Sequence, residues 1–309
     1  MAKIITKTIP WVTITFLFGL VILGGLIILK EVRADTATPT VIVGNAAPSL
    51  GTVTLNGGAS ISVAEQSYAT VIAVASVTDS NGYSDLKYST ATLYHSATTC
   101  GPSRQDANWC YYASGTPSCA TSSCSGNSCH LTCTFTVWFV AIPTDASSSY
   151  AANNWKVEIK ATDNSNGSTT GSSTQELTTT SFVLFTPSWN YGTIAPVATS
   201  SEINTKATNT GNHYIDIELS GGNMTSTALD EIEPGQQKYS TNSDMDDWVG
   251  TALTTSPASF DIVCPKGTAT TVPNSADDVY WMIKIPDAQP PGTYNGTDSI
   301  TITPTYGQN

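Results

Sequence analysis

From Trp155 to Thr162 the chain alternates without exception. Trp155, Val157, Ile159 and Ala161 fall on one side, and Lys156, Glu158, Lys160 and Thr162 on the other. A period of two separates apolar from charged side chains only in an extended strand, so this is an antiparallel strand with one face in a core. The same pattern recurs in 68–77, 85–95 and 131–142, and again at His213, Ile215, Ile217 and Leu219, at Phe260, Ile262 and Cys264, and at Val279, Trp281, Ile283 and Ile285. Turn residues punctuate the runs: Asp79-Ser-Asn81-Gly82, Asp163-Asn164-Ser-Asn166-Gly167 and Asn209-Thr-Gly-Asn212. No stripe of period 3.6 follows the first thirty residues. Many short strands joined by turns predict an all-β chain of sandwich type.

The N-terminus is different. Lys3 and Lys7 precede an uncharged run from residue 9 to 29, and Lys30, Glu31 and Arg33 close it. The run is long enough for a helix to span a bilayer, and it also ends in Val32-Arg33-Ala34, which fits a signal-peptide cleavage site. Two outcomes stay open: cleavage that leaves Asp35 first, or an anchor retained in the membrane. Either one places the remainder outside the cytoplasm.

Beyond residue 34 there are eight basic and twenty-three acidic side chains, a net −15. Eight scattered cations do not make a phosphate-binding face, so nucleic acid is not expected as a partner. The acidity reads as a solvated surface, although Asp244-Met-Asp246-Asp247 is locally dense.

Two domains suit this length. A change of style at Phe185-Thr186-Pro187-Ser188 puts one at 40–186 and the other at 188–309, with 176–185 expected as the strand returning beside 155–162. The stretches NWKVEIKATDNSNG (154–167) and VASVTDSNGYSDL (74–86) resemble the immunoglobulin-like modules of prokaryotic secreted and cell-surface proteins. NTGN with its following strand, and the terminal PGTYNGT, resemble β-sandwich modules of exported proteins. The resemblance implies two immunoglobulin-like sandwiches in tandem after an N-terminal hydrophobic helix. It also implies a structural, spacer or adhesive role and specifies no activity.

Six of the seven cysteines, Cys100, Cys110, Cys119, Cys124, Cys129 and Cys133, lie within 100–133. In an exported chain they read as three disulfides. The segment is expected to be an insertion between two strands, clamped at its base by Cys100 with Cys133, although fifteen pairings are open. Ordering it takes more than sulfur, so Trp109, Tyr111 and Tyr112 should add apolar contact. Those three are also the candidate binding residues, either for a cell-surface protein or, in an alternative reading as a carbohydrate-binding accessory module, for stacking on sugar rings. Cys264 is expected to be buried and unpaired.

No cofactor, metal or enzymatic activity is expected. The spacing of Cys119, Cys124, Cys129, His130 and Cys133 lacks the close pairs of zinc ribbons. The Asp79 and Asp163 turns are rich in oxygen but lack a twelve-residue calcium-loop pattern, and turn chemistry accounts for both. No G-x-S-x-G elbow accompanies His95, His130 or His213. Sequons at Asn166, Asn223 and Asn295 are candidate glycosylation sites on turns.

Overall fold

The computed structural model describes residues 37–100, 106–113, 119–245, 248–268 and 276–304. The expected N-terminal helix and cleavage site, together with Asp246 and Asp247, lie outside them. Among the described residues no helix is long and apolar enough to cross a membrane. The chain divides into two units, 1–44 and 45–309. In the first, residues 37–44 have no regular structure, and Val41, Ile42 and Val43 are exposed.

The second unit begins with β1 (Ser49–Leu50), β2 (Thr54–Leu55), β3 (Tyr68–Thr78), β4 (Leu86–His95) and β5 (Cys110–Tyr112). Then come β6 (Cys119–Ser125), β7 (Ser128–Trp138), β8 (Trp155–Asp163) and β9 (Ser168–Gln175). One sheet runs β1-β3-β7-β6, with β2 also on β3, and the other runs β5-β4-β8-β9, all pairs antiparallel. This distribution of consecutive strands between two facing sheets is the immunoglobulin-like arrangement. The inward sets of β3, β4, β7 and β8 meet in one core in which Leu93, Leu131, Phe135, Trp155 and Ile159 are fully buried. Trp155 also donates Nε1–H to the Ile142 carbonyl at 2.8 Å, which satisfies its single polar atom out of water.

Two expectations are corrected here. Residues 100–133 are not an insertion: they supply β5, β6 and half of β7, all within the two sheets. The return strand beside β8 is β9, within a stretch of serine, threonine and glycine that carries no apolar alternation. Pairing with β8 holds β9, and Leu50 and Val53 lie across it. A Cβ on Gly171 would come 3.0 Å from Val53 Cγ2, so the bare backbone admits that side chain.

The disulfides are Cys100–Cys110, Cys119–Cys133 and Cys124–Cys129. The expected Cys100–Cys133 bridge does not form, because Cys133 on β7 lies opposite Cys119 on β6 while Cys100 leaves the end of β4 in the other sheet. Cys119 and Cys133 point into the core. Cys124–Cys129 closes the tip of the same hairpin. β6 is an edge strand with no apolar residue apart from its cysteines and Ala120. Sulfur therefore supplies what burial does not, and fixes the register as well.

The chain continues through β10 (Val183–Phe185), β11 (Ile203–Asn209), β12 (Ile215–Gly221), β13 (Met224–Ser226), β14 (Glu231–Ile232) and β15 (Gln237–Ser240). It ends with β16 (Thr251–Ala252), β17 (Ala258–Cys264), β18 (Ala276–Ile283), β19 (Tyr294–Asn295) and β20 (Asp298–Pro304). The sheets are β10-β11-β18-β15-β16, β17-β12-β20 and the small β14-β13-β19. A separate cluster fills them, built on Ile215, Ile217, Tyr239, Val279 and Trp281. β10 pairs with β11, so 183–185 belongs with these later sheets and the change between the two clusters comes before Pro187. Cys264 is buried here as a free thiol, as its strand position implied. Burial pushes that thiol up to about 12.

Candidate functional site

At one end of the first pair of sheets, three turns converge. The β3–β4 turn carries Asp79, whose Oδ1 accepts the Asn81 N–H at 2.8 Å, and Gly82 at φ 106° completes it in a conformation that suits glycine. The β8–β9 turn carries Asp163, whose Oδ1 accepts the Gly167 N–H at 2.7 Å while its Oδ2 accepts from Asn45 Nδ2 at 3.0 Å. The two turns are tied together: Asn164 N–H donates to the Asp85 carbonyl at 2.8 Å, and Asn164 Nδ2 to the Ser84 carbonyl at 3.3 Å. The third turn is the β6–β7 tip, where the carbonyls of Asn127 and Gly126 accept the N–H groups of Asp79 at 2.7 Å and Tyr83 at 3.2 Å.

The result is a cluster of carboxylates. Asp79, Asp85 and Asp163 each offer an oxygen, and these oxygens all lie within 4.8 Å of one another. Asp79 and Asp163 are fully buried and Asp85 is half-buried. Asp79 Oδ2 has no hydrogen-bond partner. Each turn is readable in the sequence, but their meeting is not, because it depends on β4 and β8 being sheet neighbours.

At the other end, the proposed aromatic triad separates. Tyr111 is only 8% exposed, packs on Trp155 at 5.6 Å, donates its hydroxyl to the Ala107 carbonyl and accepts the Trp138 N–H at 3.1 Å. It belongs to the core and cannot stack on a ligand. Tyr112, the next residue of β5, is half-buried. Trp109 lies edge-on to His95 at 4.9 Å and to Tyr150 at 5.5 Å. His95 is fully buried among Trp109, Tyr150 and Trp155, and its Nδ1 accepts the Ala97 N–H at 3.2 Å. Burial holds its ring down at about 4, so it is neutral at pH 7.

Residues 178–182 carry the chain from one hydrophobic cluster to the other, and polar side chains crowd around them. Asn212 donates Nδ2–H to the Thr178 carbonyl at 2.9 Å and accepts the Thr180 N–H at 2.8 Å. Thr210 donates to Glu65 at 2.6 Å, and Lys266 Nζ donates to the Val140 carbonyl at 3.0 Å and to Asn108 Oδ1. Burial lowers the Lys266 ammonium to about 8. Ser181 Oγ and His213 Nε2 lie 2.7 Å apart, the spacing of a nucleophile and its base. The nearby Asp145 carboxylate instead accepts from the backbone and hydroxyl of Thr179, so the pair is built into the joint. His130 is exposed on β7, and the sequon residues Asn166, Asn223 and Asn295 are exposed as well.

In the later sheets, the segment 187–196 passes over the core, with Trp189 stacked on Trp281 at 4.8 Å. Between it and residues 289–298 runs a groove of about 1000 Å³, lined by Trp189, Tyr191, Tyr294, Gln289 and Asp298 among others.

No family model matches the chain, and no curated protein matches it. Among solved structures, it is similar to the CsuC–CsuE chaperone–tip adhesion subunit complex of archaic chaperone-usher Csu pili from Acinetobacter baumannii. That match has 11% identity and TM-score 0.32, over 79% of this chain and 96% of that one. A titin A168–A169 structure matches at 13% identity and TM-score 0.28, over 85% and 100% of the two chains. Latent PorU from Porphyromonas gingivalis matches at 12% identity and TM-score 0.25, over 89% of this chain and 20% of that one. The fold assignment rests on the strand order above. The three disulfides indicate an oxidising, extracytoplasmic environment.

Proposed function

We propose that this chain is a structural or adhesive component of the cell surface, made of two immunoglobulin-like sandwiches in tandem. The observation that carries this reading is the joint at 178–182. A flexible linker would leave two modules to swing; here Asn212 grips the linker backbone twice, and Glu65–Thr210 and Lys266–Val140 contacts flank it. A short connection with its hydrogen bonds satisfied transmits orientation from one module to the next, as a spacer or stalk requires. Disulfides and an acidic surface with few cations suit exposure outside the cell, and the exposed sequons would place any glycans on two connecting segments, at Asn166 and Asn223, and on β19 at Asn295. Its partner is then a cell-surface protein or glycan, with membrane attachment through residues 9–29 if these are retained.

The test is surface proteolysis of intact cells followed by deletion of the gene. Release of fragments by external protease, and loss of surface assembly or adhesion on deletion, would support the reading. A chain protected inside intact cells would overturn it.

A second reading, saccharide binding, is favoured by the groove, where Trp189, Tyr191 and Tyr294 offer ring faces beside amide and carboxyl groups. A glycan array separates the two: binding that Tyr294→Ala removes supports this reading, and an array with no hits opposes it.

A further inference from the structure

We infer that Asp79, Asp85 and Asp163 bind one divalent cation, with calcium preferred. The inference does not depend on the proposed surface role, since an intracellular chain with the same fold would present the same site.

Buried carboxylates are normally paired with a cation or neutralised by hydrogen bonds. Asp163 has both oxygens occupied by N–H donors, but Asp79 has only one, and its Oδ2 is left without a partner in a side chain wholly removed from solvent. The ion pairs found among the described residues, Lys156–Glu158 and Lys206–Asp278, do not involve the cluster. The nearby Lys87 ammonium is directed to the Asn166 side-chain oxygen at 3.2 Å. Three carboxyl groups, two of them wholly buried, are therefore gathered with no described cationic side chain paired to them.

The donor set suits a hard cation. Calcium binds oxygens at roughly 2.3–2.6 Å, so two ligands across one ion stand up to about 5 Å apart. The carboxylate oxygens here lie within 4.8 Å of one another. Magnesium, at roughly 2.0–2.1 Å with strict octahedral demands, prefers to keep several waters and not to enter a buried carboxylate set, and zinc favours nitrogen and sulfur. The donors also come from two turns that can supply backbone carbonyls, the soft-geometry arrangement calcium accepts. Because the ligands are contributed by turns 84 positions apart, neither turn shows a calcium-loop pattern by itself.

The full-length chain is stripped with EDTA, desalted, and melted with calcium chloride, magnesium chloride or EDTA. At about 10 mM calcium, roughly a hundredfold above the dissociation constants of the tighter extracellular sites, the melting temperature should rise by roughly 5 °C. Magnesium should give a smaller rise. Equilibrium dialysis with radioactive calcium should count one ion per chain that Asp79→Asn or Asp163→Asn removes, while the exposed Glu233→Gln retains it. If the buried substitutions prevent folding, Asp85→Asn at the half-buried position replaces them and should weaken binding at least tenfold. No calcium uptake by the wild-type chain, or uptake unchanged in every folded Asp variant, would overturn the assignment.

Discussion

The carbonyl of Asn127 accepts the amide hydrogen of Asp79 at 2.7 Å. That bond joins the disulfide-closed tip of the β6–β7 hairpin to the turn that carries a buried carboxylate. Cys124–Cys129 closes the loop just outside Gly126 and Asn127, so sulfur holds the tip against the acidic end of the sandwich. Replacing both cysteines with serine should lower stability by about 2 kcal/mol, read from the urea midpoint at unchanged slope. It should also weaken calcium binding. Unchanged affinity with lowered stability would confine the disulfide to the hairpin alone.

The pH dependence of stability should carry the mark of His95. Its folded pKa is near 4, below the ordinary 6.5, so the unfolded state binds the proton more readily. The stability contributed by keeping it neutral is complete above about pH 6.5 and is lost progressively as pH falls toward 4. The size is on the order of 3 kcal/mol. His213, also lowered chiefly by burial, adds in the same direction. His95→Phe should flatten the fall in melting temperature between pH 7 and pH 4.5; a slope identical to that of the wild type would show that the ring is not responsible.

Cys264 should be unreactive while the chain is folded. Its thiol is buried, and thiolate is the reactive form. Iodoacetamide should label it only at the rate of unfolding, as mass spectrometry of timed samples would show. Labelling within minutes in native buffer would mean an exposed thiol.

Asn212→Ala should loosen the joint. The side chain is fully buried and serves two backbone groups of 178–180, so its loss leaves both unpaired at a cost of about 1–3 kcal/mol. Small-angle scattering should show a broader distribution of end-to-end lengths. A scattering curve that overlays the wild type would place the rigidity elsewhere.

Much of the fold is legible wherever apolar residues alternate, as in β8, because burial on one face dictates the period. β9 and β6 are not legible in this way. Their sequences, STTGSSTQ and CATSSCS, bury almost nothing, and they exist because β8 and β7 offer edges to pair with. The disulfide partners were obscured for the same reason. Cys133 meets Cys119 because β7 lies next to β6, a fact of strand order that no local pattern carries. At the acidic end, the turn chemistry of Asp79 and Asp163 was apparent from Asx-Gly spacing, whereas their proximity required the whole topology. The core position of Tyr111 is not legible in the sequence, because an aromatic beside a cysteine suits a surface and a core equally well and the three residues of β5 are too short to show an alternation.

Two edge strands of the first pair of sheets have a consequence for molecules crowded side by side. Among the described residues, β6 and β9 each pair with a strand on one side only, and an unpaired edge is the place where one chain can recruit another by adding a strand. Neither offers an apolar row to reward such recruitment, and β6 is cross-linked to β7 so that it cannot slip to a new register or peel away. Polar edges, one of them locked by sulfur, leave these two strands little to gain from pairing with a neighbouring copy.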